Sequence, residues 1–145
     1  KDSKIDITSE KLTKELAKEF TKYLKGGEFV FLYGEMGVGK TTFVKYFINE
    51  YQKINNLTQT EITSPTFSLL NEYQVKDIRI KHYDLFRINR KKEDIDNLDI
   101  FEKDNKLITL IEWPQLLTDT QNIKSIDLTF NYLNDLNDRS VDIKV

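Results

Sequence analysis

The sequence predicts an α/β fold in a single domain, residues 1–145, with a mixed central β-sheet flanked by helices. Three observations lead there. The apolar run "FVFLY" at 29–33 passes through a glycine-rich turn into a stretch of helical period. Two extended segments separated by a turn occupy the middle of the chain, and alternating segments close it. At 145 residues, 39% of them hydrophobic, the chain has enough apolar mass for one core.

The elements follow in order. Ser9 is placed to cap a helix whose apolar residues Leu12, Leu16, Phe20, Tyr23 and Leu24 recur at helical spacing. Gly26-Gly27 is expected to end it, because glycine tolerates the left-handed position after a helix. Residues 29–33 form a continuous run of aromatic and β-branched type, as a buried strand does. A second helix is expected from about Lys40, with Phe43, Val44, Phe47, Ile48 and Tyr51 inward. "TFSLLNEYQV" and "RIKHYDLF", separated by Lys76-Asp77, read as an antiparallel pair. Residues 91–103 suggest a short charged helix with Ile95, Leu98 and Phe101 inward. "LITLIEW" (107–113) reads as a buried strand, and "SIDLTF" and "SVDIKV" as half-buried ones.

All five glycines, Gly26, Gly27, Gly34, Gly37 and Gly39, fall within fourteen residues. The stretch "GEMGVGKT" (34–41) matches G-x-x-x-x-G-K-[ST] at every fixed position. Wrapping a phosphate with inward-pointing backbone N–H groups takes dihedrals that side-chain-bearing residues resist. The helix that follows aims its positive end at the same anion. Glu35, Met36, Gly37, Val38, Gly39, Lys40, Thr41 and Thr42 are therefore the candidate nucleotide-binding residues. Within them Lys40 supplies an ammonium to the phosphates and Thr41 a hydroxyl to Mg²⁺. A glycine turn with an incidental Lys-Thr is the blander reading; the strand before and amphipathic helix after it speak against that. The expected fold is thus that of a P-loop NTPase, and the expected ligand is a nucleoside triphosphate with Mg²⁺.

Such a loop needs an acid across the metal. Glu112 directly follows "LITLI", and an acid there is awkward to bury without a compensating cation. Asp84 in "HYDLFR" is the other candidate, and read alone it suits a surface carboxylate. His82 and Trp113, each the only one of its kind, read as structural side chains. Pro65 and Pro114 stiffen the chain beside the proposed site.

Composition narrows the class. Charged residues make up 32%, which argues against disorder only in combination with the apolar content. Residues 1–92 carry 17 Lys and Arg against 12 Asp and Glu, and residues 93–145 carry 5 against 12, so +5 stands beside −7. Neither half has the basic excess of a dedicated nucleic-acid binder, so no binding of DNA and no tight direct binding of other nucleic acid are expected. No apolar run approaches the roughly 20 residues of a membrane span, no signal-peptide pattern opens the chain, and cysteine is absent. A cytoplasmic protein without membrane association is expected.

Taken together, "GEMGVGKTTF", "SPTFSLLNEY", "HYDLFR" and "IEWPQ" resemble the bacterial TsaE (YjeE) proteins in order and spacing, from about Ser9 to the C-terminus. Those are small P-loop ATPases required for threonylcarbamoyl modification of tRNA adenosine. The resemblance implies slow Mg²⁺-dependent ATP hydrolysis used as a conformational switch for the TsaB–TsaD complex. It implies that Ser64, Pro65 and Thr66 form a switch-like segment near the γ-phosphate. Asp84 would be needed for hydrolysis, orienting water directly or through the metal shell. Glu112 would join Thr41 as the magnesium-side group, giving Lys40, Asp84 and Glu112 the catalytic roles. Trp113, Thr13 and Arg139 would lie near the nucleotide. The loop departs from the usual pattern at Glu35, Met36 and Val38, and Phe86 stands where Tyr is common; none of these removes a phosphate or metal ligand.

Three rivals remain open to test. A P-loop small-molecule or nucleotide kinase would need an acceptor pocket and an arginine-bearing lid, for which Arg87 to Arg90 is short. A GTPase would need N-K-x-D, where "NKLI" (105–108) offers Ile108 for the aspartate. A nucleotide sensor without hydrolysis would have little use for both Asp84 and Glu112.

Overall fold

A computed structural model describes residues 3–65, 69–87, 99–117, 123–133 and 137–145. Its elements are β1 (Ser3–Asp6), α1 (Glu10–Tyr23), β2 (Phe29–Tyr33), α2 (Lys40–Ile54), β3 (Leu70–Val75), β4 (Ile78–Asp84), β5 (Leu107–Glu112), β6 (Ser125–Tyr132) and β7 (Arg139–Lys144). Short 3₁₀ turns at Leu85–Arg87 and Pro114–Leu116 follow β4 and β5. One seven-stranded sheet takes the order β1-β7-β6-β2-β5-β4-β3.

The four central strands β6, β2, β5 and β4 run parallel, while β3, β7 and β1 join antiparallel. Parallel alignment has a direct consequence for function. The C-terminal ends of β2, β5 and β4 share one edge of the sheet, so Tyr33, Glu112 and Asp84 end beside one another.

Alternation along each strand divides the core into two faces. Val30, Leu32, Ile80, Ile108, Leu110, Leu128 and Phe130 face α1 and α2. Phe29, Phe31, Tyr83 and Ile111 face the other way, toward Leu69, Leu85 and Ile100. The inward residues expected for α2, Phe43, Val44, Phe47, Ile48 and Tyr51, are all buried. Phe43 joins the layers, its ring 5.5 Å from Phe20 of α1 and 6.0 Å from Phe130 of β6. Truncating it would cost about 3–5 kcal/mol, since α2 would lose contact with both neighbours.

Several expectations need correction. Ser9 does cap α1, accepting from the Leu12 N–H. The helix, however, ends at Leu24 in an extended conformation, so the glycine pair lies beyond its cap. Gly26 is required for a different reason: at φ 129° a Cβ there would meet the Asn105 carbonyl oxygen at 2.1 Å. Tyr23, the last residue of α1, is 76% exposed rather than inward. The strand at 107 stops at Glu112, and Trp113 turns away in a left-handed conformation. Residues 91–98 of the expected charged helix lie outside the described residues, and Ile100-Phe101 form a turn. β1 was not expected at all. Among the described residues no helix is long and apolar enough to cross a membrane.

Candidate nucleotide and metal site

The loop between β2 and α2 is shaped by packing at its base and left open at its mouth. Gly34 (φ 144°) sits so close to β6 that a Cβ would lie 2.8 Å from the Phe130 carbonyl oxygen and 2.9 Å from Val38 Cγ1. Val38 is wholly buried in the helix-side core and pins the loop from within. Its part toward a ligand is therefore its backbone alone. Gly39 (φ 119°) is the N-cap of α2 and offers no side-chain hydrogen bond to the helix. Among the described residues the first N–H groups of α2 thus have no side-chain cap, which leaves them available to an anion.

Around this helix end lies a cavity of about 240 Å³ lined by Met36, Gly37, Gly39, Lys40, Thr41, Thr42, Ser64, Asp84, Phe86, Glu112 and Trp113. Lys40 is buried, donates to the Gly34 carbonyl, and sets its Nζ 3.9 Å from the centre of the Trp113 ring. Burial is the largest influence on its ammonium and pushes its pKa below the ordinary lysine range; Glu112 and then Asp84 pull it partly back. Trp113 is held in its left-handed turn (φ 62°, ψ 48°) by its backbone N–H, which donates to the Leu32 carbonyl, and by Phe86, whose ring centre is 4.6 Å away.

Thr41 and Glu112 meet across the cavity. The Thr41 hydroxyl lies 3.1 Å from Glu112 Oε1 and 3.0 Å from Oε2. Strand register sets Asp84 of β4 directly opposite Glu112 of β5, and both are buried. Asp84 is therefore no surface carboxylate; its Oδ1 also accepts from the Phe86 N–H at 3.2 Å. His82, two residues before Asp84 on the same face, brings its Nε2 to 2.6 Å from Glu112 Oε2. The sequence marks His82 only as a structural side chain, for the contact depends on which strand lies beside β4.

The donors suit magnesium. Among the described residues no cluster of three or more His, Cys, Asp or Glu side chains forms a closed cage. One hydroxyl and one or two carboxylates is what a hard cation uses when phosphate oxygens and water complete its shell.

The remaining candidates lie as follows. Glu35 and Met36 are exposed at the turn, and only Met36 lines the cavity. Arg139 begins β7, opposite Tyr132 of β6, which puts it at the same edge of the sheet. Its guanidinium lies 3.8 Å from where a Cβ on Gly39 would be, and its buried Nε has no hydrogen-bond partner among the described residues. Thr13 is buried near the start of α1, its hydroxyl donating to the Ser9 carbonyl at 3.4 Å, and does not line the cavity. Ser64 lines the cavity and Pro65 is buried, whereas Thr66 lies outside the described residues.

Comparison with known proteins shows the family and the fold. The family described as threonylcarbamoyl adenosine biosynthesis protein TsaE matches residues 7–141. The tRNA threonylcarbamoyladenosine biosynthesis protein TsaE of Rickettsia typhi is 40% identical over 111 residues, 77% of this chain and 74% of its own. The protein of the same name from Rickettsia bellii is 36% identical over 133 residues, covering 89% and 86%. A crystal structure of Bacillus subtilis YdiB aligns over 99% of this chain and 84% of its own with a TM-score of 0.73. At 23% identity that likeness concerns the fold.

Proposed function

The chain belongs to the TsaE family, whose members serve tRNA threonylcarbamoyladenosine biosynthesis, and from that premise we propose that it is a magnesium-dependent ATPase. Slow ATP hydrolysis in the 34–42 loop acts as a conformational switch for the TsaB–TsaD complex. The observation that carries this reading is the meeting of Thr41 and Glu112, a hydroxyl and a carboxylate from separate elements, beside a buried lysine at an open helix end.

Each group has a task. The backbone N–H groups at the start of α2 receive the phosphates. Lys40 leaves the Gly34 carbonyl for the phosphate oxygens, which give its buried ammonium the anion it lacks. Thr41 and Glu112 would hold magnesium, which would supply positive charge to the phosphate tail. Asp84 orients the attacking water. The water oxygen bonds to the γ-phosphorus as the bond to the β–γ bridging oxygen breaks, ADP departs with that electron pair, and inorganic phosphate forms. Ser64 faces the same cavity, so loss of the γ-phosphate removes a contact from the segment that begins there. That segment carries the signal to TsaB–TsaD, and tRNA is reached only through the complex.

Phosphate release from ATP, measured with and without Mg²⁺, tests the reading. Wild type should turn over slowly and need Mg²⁺, and Lys40→Ala should abolish turnover with the fold intact. Turnover unchanged in that variant would refute the assignment. A pull-down of TsaB–TsaD with ATP, with ADP and without nucleotide tests the switch, and association indifferent to nucleotide would exclude it.

A further inference from the structure

His82 is the only histidine in the chain, is wholly buried, and has no part in the reaction just described. It reaches diagonally from β4: its register partner in β5 is Leu110, yet its ring meets Glu112, two residues further along the same face. The Nε2 to Oε2 separation is 2.6 Å, between side chains 0% and 3% exposed. Thr41 grips the same carboxylate from α2. Glu112 is therefore fixed from a strand on one side and a helix on the other.

The proton in the His82 contact can be placed. A carboxylate only accepts hydrogen bonds, so a bare Nε2 at this distance would set lone pair against lone pair. Nδ1 is buried with no hydrogen-bond partner among the described residues. Against an ionised Glu112 the hydrogen is therefore assigned to Nε2, as the donor.

We propose that His82 is a positioning residue whose Nε2–H holds the Glu112 carboxylate in the one orientation that presents it, with Thr41, to the nucleotide's magnesium. The inference rests on the ATPase reading above. A free glutamate side chain must give up several torsions when it takes a metal, and a partner behind it removes that cost beforehand. A mere tie between β4 and β5 would act on the fold and leave metal dependence alone.

ADP affinity, measured by calorimetry with Mg²⁺ and again with EDTA, separates the two. Wild type should bind more tightly with Mg²⁺. His82→Phe should lose about tenfold of that gain, the order expected when the partner behind a metal ligand is removed, with affinity in EDTA unchanged. His82→Gln, whose amide N–H reaches toward the same carboxylate, should recover most of it. Should the phenylalanine variant not fold, His82→Asn, too short to reach Glu112, should show the same tenfold loss. Nitrogen-15 spectra of the imidazole, unambiguous with a single histidine, should show the ring hydrogen on Nε2 and slow to exchange. A full Mg²⁺ gain in His82→Phe or His82→Asn, equal losses in Mg²⁺ and EDTA, or a ring carrying its hydrogen on Nδ1 alone overturns the inference. A wild type that binds ADP no better with Mg²⁺ sinks the ATPase reading itself, and this inference with it.

Discussion

The two faces of β4 treat charge in opposite ways. Arg79 and Lys81 point to the face away from the helices, and each finds carboxylates. Lys81 Nζ lies 2.7 Å from Glu102, while Arg79 lies 2.6 Å from Glu102, 3.2 Å from Asp104 and 3.6 Å from Glu72. His82 and Asp84 point to the other face, where the nearby cation is Lys40. Among the described residues no carboxylate forms an ion pair with Lys40; its contacts are a carbonyl and an aromatic face. The consequence shows in acidity. Glu102 is held below the ordinary glutamate range, first by its hydrogen bond from Lys81 and then by that from Arg79, whereas burial pushes Lys40 against its own charge. On the outer face the charges are matched by carboxylates. Lys40, buried without such a match among the described residues, is the candidate contact for an outside anion.

The largest expected effect comes from removing that unmatched charge without disturbing shape. Lys40→Met should weaken ADP binding by about 100-fold or more, as loss of one partner of a desolvated charge pair does. Its Tm without nucleotide should not fall, because the burial cost of the ammonium goes with it. A clear drop in Tm would put Lys40 among the matched, structural charges. Glu112→Ala comes next. It orphans His82 and the Thr41 hydroxyl, so a cost of about 2 kcal/mol and a Tm lowered by several degrees are expected. It should also weaken ADP binding with Mg²⁺ more than in EDTA, and equal losses would point to general damage.

A smaller, optical effect should come from Trp113. It is the only tryptophan, and Lys40 lies over its face. Its emission should change when ADP draws Lys40 away, and should stay constant with ADP in Lys40→Met. The smallest effect belongs to the matched face. Glu102 has a lowered folded pKa, so its stabilisation is full above the ordinary value of 4.5 and is lost as pH falls through the lower folded value. Hydrogen exchange at 99–104 should therefore quicken below that pH, and Glu102→Gln should remove the dependence. The same pairs are partly exposed, so high salt should weaken them, while the buried Glu112–His82 contact should hardly respond.

How far the sequence reveals these features depends on how local each is. The phosphate loop is readable because its glycines, lysine and threonine stand at fixed spacing inside one strand-turn-helix unit. Glu112 is readable because the run "LITLI", apolar at four of its five positions, leads straight to it. Asp84 and His82 are harder, since their meaning comes from β4 lying beside β5 in one particular register. A single histidine in an alternating strand gives no sign of which carboxylate it will face. β1 escapes for another reason: four residues, three of them exposed, give too short a pattern, and β7 defines the strand by pairing with it. Tyr23 misleads because its spacing fits the stripe until the helix ends.

The most direct measurement is a crystal structure with ADP or a non-hydrolysable ATP analogue and Mg²⁺. The expected result is a β-phosphate within hydrogen-bond distance of the backbone N–H groups leading into α2, with Lys40 moved from the Gly34 carbonyl onto phosphate oxygen. A nucleotide bound elsewhere, or a phosphate seated there with Lys40 still on Gly34, would contradict it.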